Sequence, residues 1–142
     1  MPSEPHAGIR ADWQPHLALG ITGHRASNPS FAAHSEAITA ALAALFARID
    51  EISAALPGTR GTLRLHSLLV DGTDQIAAEL ALARGWDLVV PLPFGADLNL
   101  AINAHPATSA DAAALCRGES AADSSVETRA AAIRAITARA QL

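Results

Sequence analysis

The apolar residues of this chain fall into short runs separated by longer, periodic segments. Residues 17–22, 63–70 and 88–90 are the short runs, and each is mostly apolar. Runs of this length and composition are typical of strands that are covered on both faces of a parallel sheet. The pattern therefore predicts three buried strands.

A helical period is clearest between the first two predicted strands. Six apolar residues repeat there at spacings of three and four, as on one face of a long helix. They are Ile38, Leu42, Leu45, Ile49, Ile52 and Leu56. Asn28 and Pro29 are typical of an N-cap and a first helical position, and Pro57 with Gly58 is a stop signal. We expect this stripe to pack on the sheet, with Leu45 buried.

Two further helices carry capping signals. Asp71 or Thr73 is expected to cap a helix that ends at Gly85, in the C′ position. Ser124 and Glu127 match a capping box that opens the last helix. The inward positions of that last helix are Val126, Ala130, Ile133 and Ile136.

The alternation of strands and helices predicts an α/β fold with parallel strands and right-handed crossovers. We interpret the chain as a Rossmann-like three-layer domain with a short parallel sheet of three strands in the order 3-2-1. Residues 1–15 are predicted to be a flexible segment and residues 16–97 the Rossmann-like core. Residues 98–142 are an Ala-rich helical tail that includes a short helix at residues 111–116.

Composition excludes several classes of function. The net charge is −4 and there is no Lys, so the chain lacks the basic footprint of a nucleic-acid-binding protein. Two Trp, three Phe and no Tyr are too few for a base-stacking surface. The single Cys116 excludes an internal disulfide and fits a reducing cytoplasm. No apolar run approaches the length of a membrane span.

Glycines and polar residues follow the first two strands, at the sheet edge where α/β proteins bind ligands. The sequence there is TGHR at residues 22–25 and DGTD at residues 71–74. Glycine admits a ligand to the backbone, Arg25 suits a phosphate, and Asp74 can accept from a sugar hydroxyl. The candidate ligand-binding residues are Thr22, Gly23, His24, Arg25, Gly72, Thr73, Asp74 and Glu79.

Structural roles are open for the same residues. Gly23 can simply make a turn while Arg25 pairs with a carboxylate, and the acidic residues of the second loop can be ordinary helix caps. Glu79 can belong to a solvated helix face. The motifs HExxH, GxSxG and GxGxxG are absent, so the sequence predicts no metal site, no cofactor and no catalytic residue.

Three segments resemble one superfamily. They are GITGHR at residues 20–25, DGTDQIAAELAL at residues 71–82 and LPF at residues 92–94. They are similar to motifs of the bacterial SLOG superfamily of Rossmann-fold nucleotide-binding proteins, which joins Smf/DprA-type DNA-processing proteins to the LOG enzymes. The resemblance covers residues 17–97. It implies a cytoplasmic binding module for a nucleotide or nucleotide-derived small molecule.

The chain also departs from that superfamily. Ser67 is followed by Leu68 where relatives carry a Ser-Gly pair, and no Gly-Gly-Thr phosphate loop follows Asp97. We therefore expect a truncated form of the fold. The alternative function, hydrolysis of the N-glycosidic bond of a nucleoside monophosphate as in LOG enzymes, is expected to be absent from this short form. The first strand would then be an exposed apolar edge, which predicts a homo-oligomer unless the last helix covers it.

Overall fold

A computed structural model describes residues 16–56 and 63–142 of the chain. Three parallel strands form one sheet, namely β1 (Ala18–Gly20), β2 (Arg64–His66) and β3 (Asp87–Val89). They lie in the order β1-β2-β3, so that β2 is hydrogen bonded to both of the others. The predicted parallel α/β architecture is confirmed. Each strand has only three residues, because regular pairing stops before the apolar runs end.

Helices connect the strands and continue after them. Helix α1 (Pro29–Ala55) leads from β1 to β2, and α2 (Thr73–Ala83) leads from β2 to β3. Helices α3 (Ala96–Asn103), α4 (Ser109–Cys116) and α5 (Ser124–Thr137) follow. The sequence indicated α4 and α5 but not α3. The N-cap of α3 is Gly95, which has no side chain to signal a helix start.

The hydrophobic core is shared by all three layers. Leu65 and Leu88 on the strands are 1% exposed, and Ala77 on α2 is fully buried. Residues of the Ala-rich segment join the same core, among them Leu115 of α4 and Ile133 of α5. All four inward positions predicted for α5 are buried. Helices α3 to α5 therefore complete the same core that the sheet begins.

Helix α1 corrects one prediction. Its buried residues are Phe31 and Phe46, whereas Leu45 is 53% exposed and Ile52 is 46% exposed. The expectation that Leu45 is buried is therefore wrong. At 1.5 Å per residue, this 27-residue helix is about 40 Å long and far exceeds strands of three residues. Leu42 and Ile49 of the predicted stripe pack against the core as partly buried residues, and Phe46, outside that stripe, stacks on Trp86 at 4.6 Å.

The helix ends confirm two caps and correct two. Asn28 caps α1 with its side chain, as predicted, and Gly85 follows the C-cap of α2 with φ 75°. Gly72 is the N-cap of α2, so neither Asp71 nor Thr73 caps it. Asp123, not Ser124, caps α5, because its side chain accepts from the backbone N–H groups of Ser125 and Val126. Side chains that can cap occur at adjacent positions, and local backbone geometry selects among them.

The two edges of the sheet differ. On the outer side of β3, Gln141 donates its N–H to the carbonyl of Leu88 and accepts from the N–H of Val90, both at 2.8 Å. Helix α5 packs against α3, so the end of the chain lies at the β3 side rather than over β1. None of the helices in the described ranges is long and apolar enough to cross a membrane.

Candidate functional site

Two loops leave the carboxyl ends of β1 and β2 and meet directly. The β1 loop comprises residues 21–28, and the β2 loop comprises residues 67–72. Thr73, the first residue of α2, donates to the carbonyl of His24 from its backbone N–H at 3.1 Å and from its hydroxyl at 3.2 Å. Adjacent parallel strands place their carboxyl ends side by side, so this contact follows from the pairing of β1 with β2.

The glycines of these loops serve the contact between them. A side chain on Gly72 would overlap the backbone of residues 24–26, and one on Gly23 would overlap the side chain of Thr73. Gly72 also has φ 100°, a conformation that other residues rarely adopt. The carbonyl of His24 uses one N–H of the first turn of α2, which an anion would otherwise bind. In this structure both glycines allow close packing of the two loops.

Asp71 links three segments through one buried carboxylate. Its Oδ1 accepts from Nη1 of Arg25 at 3.3 Å, and its Oδ2 accepts from the backbone N–H of Ala26 at 3.2 Å. Nε2 of His105 lies 3.1 Å from the same Oδ2. His105 belongs to the α3–α4 loop, residues 104–108. A carboxylate that is 7% exposed requires such donors, which explains why Asp71 is drawn away from the helix end it was expected to cap.

Asp74 faces the interior of the β2 loop. The residue is 7% exposed, and burial raises the pKa of its carboxyl, while the N–H groups of Leu68 and Val70 and the charge of Arg25 oppose that rise. Its oxygens are therefore engaged by its own loop and do not face the solvent. The contact from Asp74 to a sugar hydroxyl stays a prediction, and its carboxyl is buried in this structure.

Ser67 stiffens the same loop from the other side. Its hydroxyl donates to the carbonyl of Asp74 at 3.3 Å and accepts from the N–H of Leu69 at 3.1 Å. Leu69 has φ 54°, a left-handed conformation that is unusual for a branched residue. Asn99 of α3 adds a hydrogen bond to the carbonyl of Leu68 at 3.3 Å. The β2 loop is thus built from internal contacts rather than open to a ligand along its length.

The remaining predicted residues lie at the surface. Thr22, Gly23, His24 and Arg25 are exposed, and the side chain of Arg25 is 49% exposed even with one nitrogen on Asp71. Glu79 lies on the exposed face of α2 and accepts from Nε2 of Gln75 at 3.2 Å. The accessible part of the candidate site is therefore the TGHR turn of the β1 loop.

His105 is a functional candidate that the sequence did not indicate. Its side chain is 43% exposed and borders the same carboxylate as Arg25. No motif surrounds it. Asn103, two residues before it, accepts from the backbone N–H of Asp71 through Oδ1 at 3.3 Å and so joins the end of α3 to the same loop. In residues 16–56 and 63–142, no three His, Cys, Asp or Glu side chains are grouped to hold a metal ion.

Comparison with known proteins finds no match among family models, curated proteins or solved structures. The geometry of the three loops is therefore the basis for the functional argument.

Proposed function

We propose that this protein binds a nucleotide or nucleotide-derived small molecule at the carboxyl edge of its sheet. One observation carries the proposal: Arg25 projects at this edge, about half exposed, with its orientation held by the buried Asp71. The guanidinium group has five N–H donors, so a bond to Asp71 leaves others for a phosphate. Ligands of open α/β sheets bind at this edge.

The other residues divide into those that contact the ligand and those that support it. Thr22, Gly23 and His24 lie exposed beside Arg25 and would supply hydroxyl and backbone contacts. Gly72 and Thr73 hold the β1 loop against α2. This division assigns the chemistry of recognition to the β1 loop and its rigidity to the start of α2.

The resemblance to the SLOG superfamily supports the same ligand class and a bacterial, cytoplasmic protein. A cytoplasmic location is also consistent with one cysteine, Cys116, that is free and exposed. Hydrolysis of an N-glycosidic bond would need a polar catalyst at the ribosyl carbon. Glu79 is hydrogen bonded to Gln75 on the outer face of α2, so we restrict the proposal to binding.

Calorimetric titration with the four common nucleoside 5′-monophosphates tests the proposal. We expect the wild type to bind at least one of them, and Arg25→Ala to weaken that binding by about 1.5–3 kcal/mol, as loss of a charged hydrogen bond does. Arg48→Ala is the matched control, because Arg48 is exposed on α1 and pairs with Glu51 there. A wild type that binds none of the four contradicts the proposal, and equal affinities of wild type and Arg25→Ala exclude the phosphate contact.

We also propose that a second copy of the chain pairs with the free edge of β1. The carbonyl of Leu17 and the N–H of Ile21 point to β2, so the backbone groups of Ala18 and Gly20 point away from it. Leu17 is 38% exposed beside this edge. Among the described residues no strand pairs with this side of β1. An apolar edge of that kind is a template for another strand, and two identical edges can pair about a two-fold axis.

A further inference from the structure

Two side chains approach one carboxylate from different segments of the chain. Arg25 of the β1 loop contacts Oδ1 of Asp71, and His105 of the α3–α4 loop contacts Oδ2. Nε2 of His105 lies 3.1 Å from Oδ2, so the two groups form an ion pair when the imidazole is protonated. The side chains of both residues remain nearly half exposed, at 49% and 43%.

Hydrogen bonds to the residues next to His105 hold it in place. Arg129 of α5 donates from Nε to the carbonyl of Ala104 at 2.8 Å, and Asn103 binds the backbone of Asp71. His105 itself has φ 52°, a left-handed conformation that is unfavourable for a residue with a side chain. Glycine or asparagine would adopt this conformation more easily. The fold therefore holds an imidazole at a place where the backbone alone would favour another residue.

The second ring nitrogen of His105, Nδ1, is the atom that can contact a ligand. Within residues 16–56 and 63–142, Nδ1 of His105 has no hydrogen-bond partner. In the imidazolium form both ring nitrogens donate, so Nε2 can stay on Asp71 while Nδ1 binds an anionic oxygen. Together with Arg25, the site would then present two positive charges at the carboxylate of Asp71, with the buried Asp74 also within electrostatic reach of Arg25.

We propose that His105 and Arg25 together bind the phosphomonoester group of the ligand, with Asp71 as their shared positioning residue. This inference rests on the proposed function and adds the α3–α4 loop to the site. It restricts the ligand to a phosphorylated one, because a neutral nucleoside brings no negative charge to two cationic groups that share the single carboxylate of Asp71. The phosphate would bridge the β1 loop and the α3–α4 loop.

The test compares His105→Asn with wild type by calorimetry. Asparagine tolerates the left-handed backbone but removes the imidazole, so the loop should keep its conformation. The probes are the nucleoside 5′-monophosphate bound best by the wild type, its unphosphorylated nucleoside, ribose 5-phosphate and inorganic phosphate. The matched control is His34→Asn, because His34 is exposed on α1 and its Nδ1 lies 2.8 Å from the carbonyl oxygen of Ser30 on the same helix.

We expect His105→Asn to weaken binding of the monophosphate at least tenfold. The affinity for ribose 5-phosphate and for inorganic phosphate should fall in parallel wherever the wild type binds them. The affinity for the unphosphorylated nucleoside should not change. His34→Asn should match the wild type with every probe. An equal loss for nucleoside and monophosphate would show that His105 only maintains the loop, and would overturn the inference. A parallel measurement of thermal unfolding separates this case from a variant that has lost its fold, and His105→Gly then supplies a second variant without backbone strain.

The outcomes also separate this inference from the proposed function. If the wild type binds no phosphorylated probe, the proposed function and the inference both fail. If the wild type binds a monophosphate and Arg25→Ala weakens it while His105→Asn does not, the proposed function stands and the role of His105 is wrong.

Discussion

The carbonyl of His24 occupies the space that a side chain on Gly72 would need. The same carbonyl accepts two hydrogen bonds from Thr73, so the β1 loop is locked onto the start of α2. The TGHR turn therefore owes its position to a backbone contact with the next strand's loop. Any change that separates His24 from Gly72 should affect both stability and the proposed binding site.

Gly72→Ala should destabilise the protein by more than about 2 kcal/mol, since it combines backbone strain with a steric clash. Gly85→Ala is the matched control. It also has a positive φ, of 75°, but open space where the methyl group would lie. We expect Gly85→Ala to cost only about 1–2 kcal/mol, the cost of the left-handed conformation. Urea unfolding measures both, and equal losses would contradict the proposed contact between the loops.

Asp71→Asn should destabilise the protein by about 1–3 kcal/mol. Both carboxylate oxygens of Asp71 accept hydrogen bonds, one from Arg25 and one from the backbone N–H of Ala26. In asparagine an NH₂ group replaces one of these oxygens and would face one of the two donors. Asp97→Asn, at an exposed position of α3, should stay within about 0.5 kcal/mol of the wild type. Chemical denaturation provides the comparison, and a neutral Asp71→Asn would show that the three-segment contact adds nothing to stability.

Asp74 should make stability depend on pH in a defined direction. Burial raises the pKa of its carboxyl above the ordinary 3.8, so the folded protein binds this proton more tightly than the unfolded chain does. The stabilising contribution of Asp74 to the free energy of unfolding is fully present below the ordinary pKa. It is lost as the pH rises through the raised pKa of the folded state. The free energy of unfolding of the wild type minus that of Asp74→Asn should therefore fall between acidic and neutral pH. A difference that is constant or rises with pH would refute the shift.

Phe46→Ala should cost about 3–5 kcal/mol, as for a buried aromatic side chain. Phe46 is 4% exposed and stacks on Trp86. Leu45→Ala, one residue earlier on the same helix, should cost less than about 1 kcal/mol because Leu45 is 53% exposed. Equal losses in a denaturation experiment would mean that Leu45 is covered in solution, for example by a second copy of the chain.

Ala18→Pro tests pairing at the β1 edge. The N–H of Ala18 points away from β2, so proline would remove a donor from the free edge without removing a β1–β2 hydrogen bond. We expect the wild type to sediment as a dimer and Ala18→Pro as a monomer that retains its helical circular dichroism. A wild type that remains monomeric at high concentration would exclude the pairing.

The sheet and its connections were predictable because their signals are local. Asn28 before Pro29 marks the start of α1, and Gly85 marks the end of α2 in the sequence as in the structure. Helix α3 was missed because Gly95 caps it without a side chain. Leu45 of α1 was predicted to be buried, whereas Phe46 is the buried residue there. Apolar spacing shows which face of a helix is apolar, but not how much of that face is covered by other elements.

The candidate site was predictable only in part, for a related reason. Parallel strands bring residues 23–25 and 72–73 together, because β1 pairs directly with β2. His105 reaches the site through the packing of α3 and α4, and nothing in its neighbouring sequence indicates that path.

The sequence by itself determined the α/β alternation and the polar character of both loops, because periodicity, caps and glycines act over a few residues. Only the tertiary structure decided what each acidic side chain does. Asp71 and Asp74 begin and end the same four-residue segment, yet one holds Arg25 and His105 while the other turns into its own loop. The physical reason is that a buried carboxylate must find donors. Asp71 finds them in Arg25 and Ala26, which are distant in sequence, whereas Asp74 finds them in the backbone of its own loop.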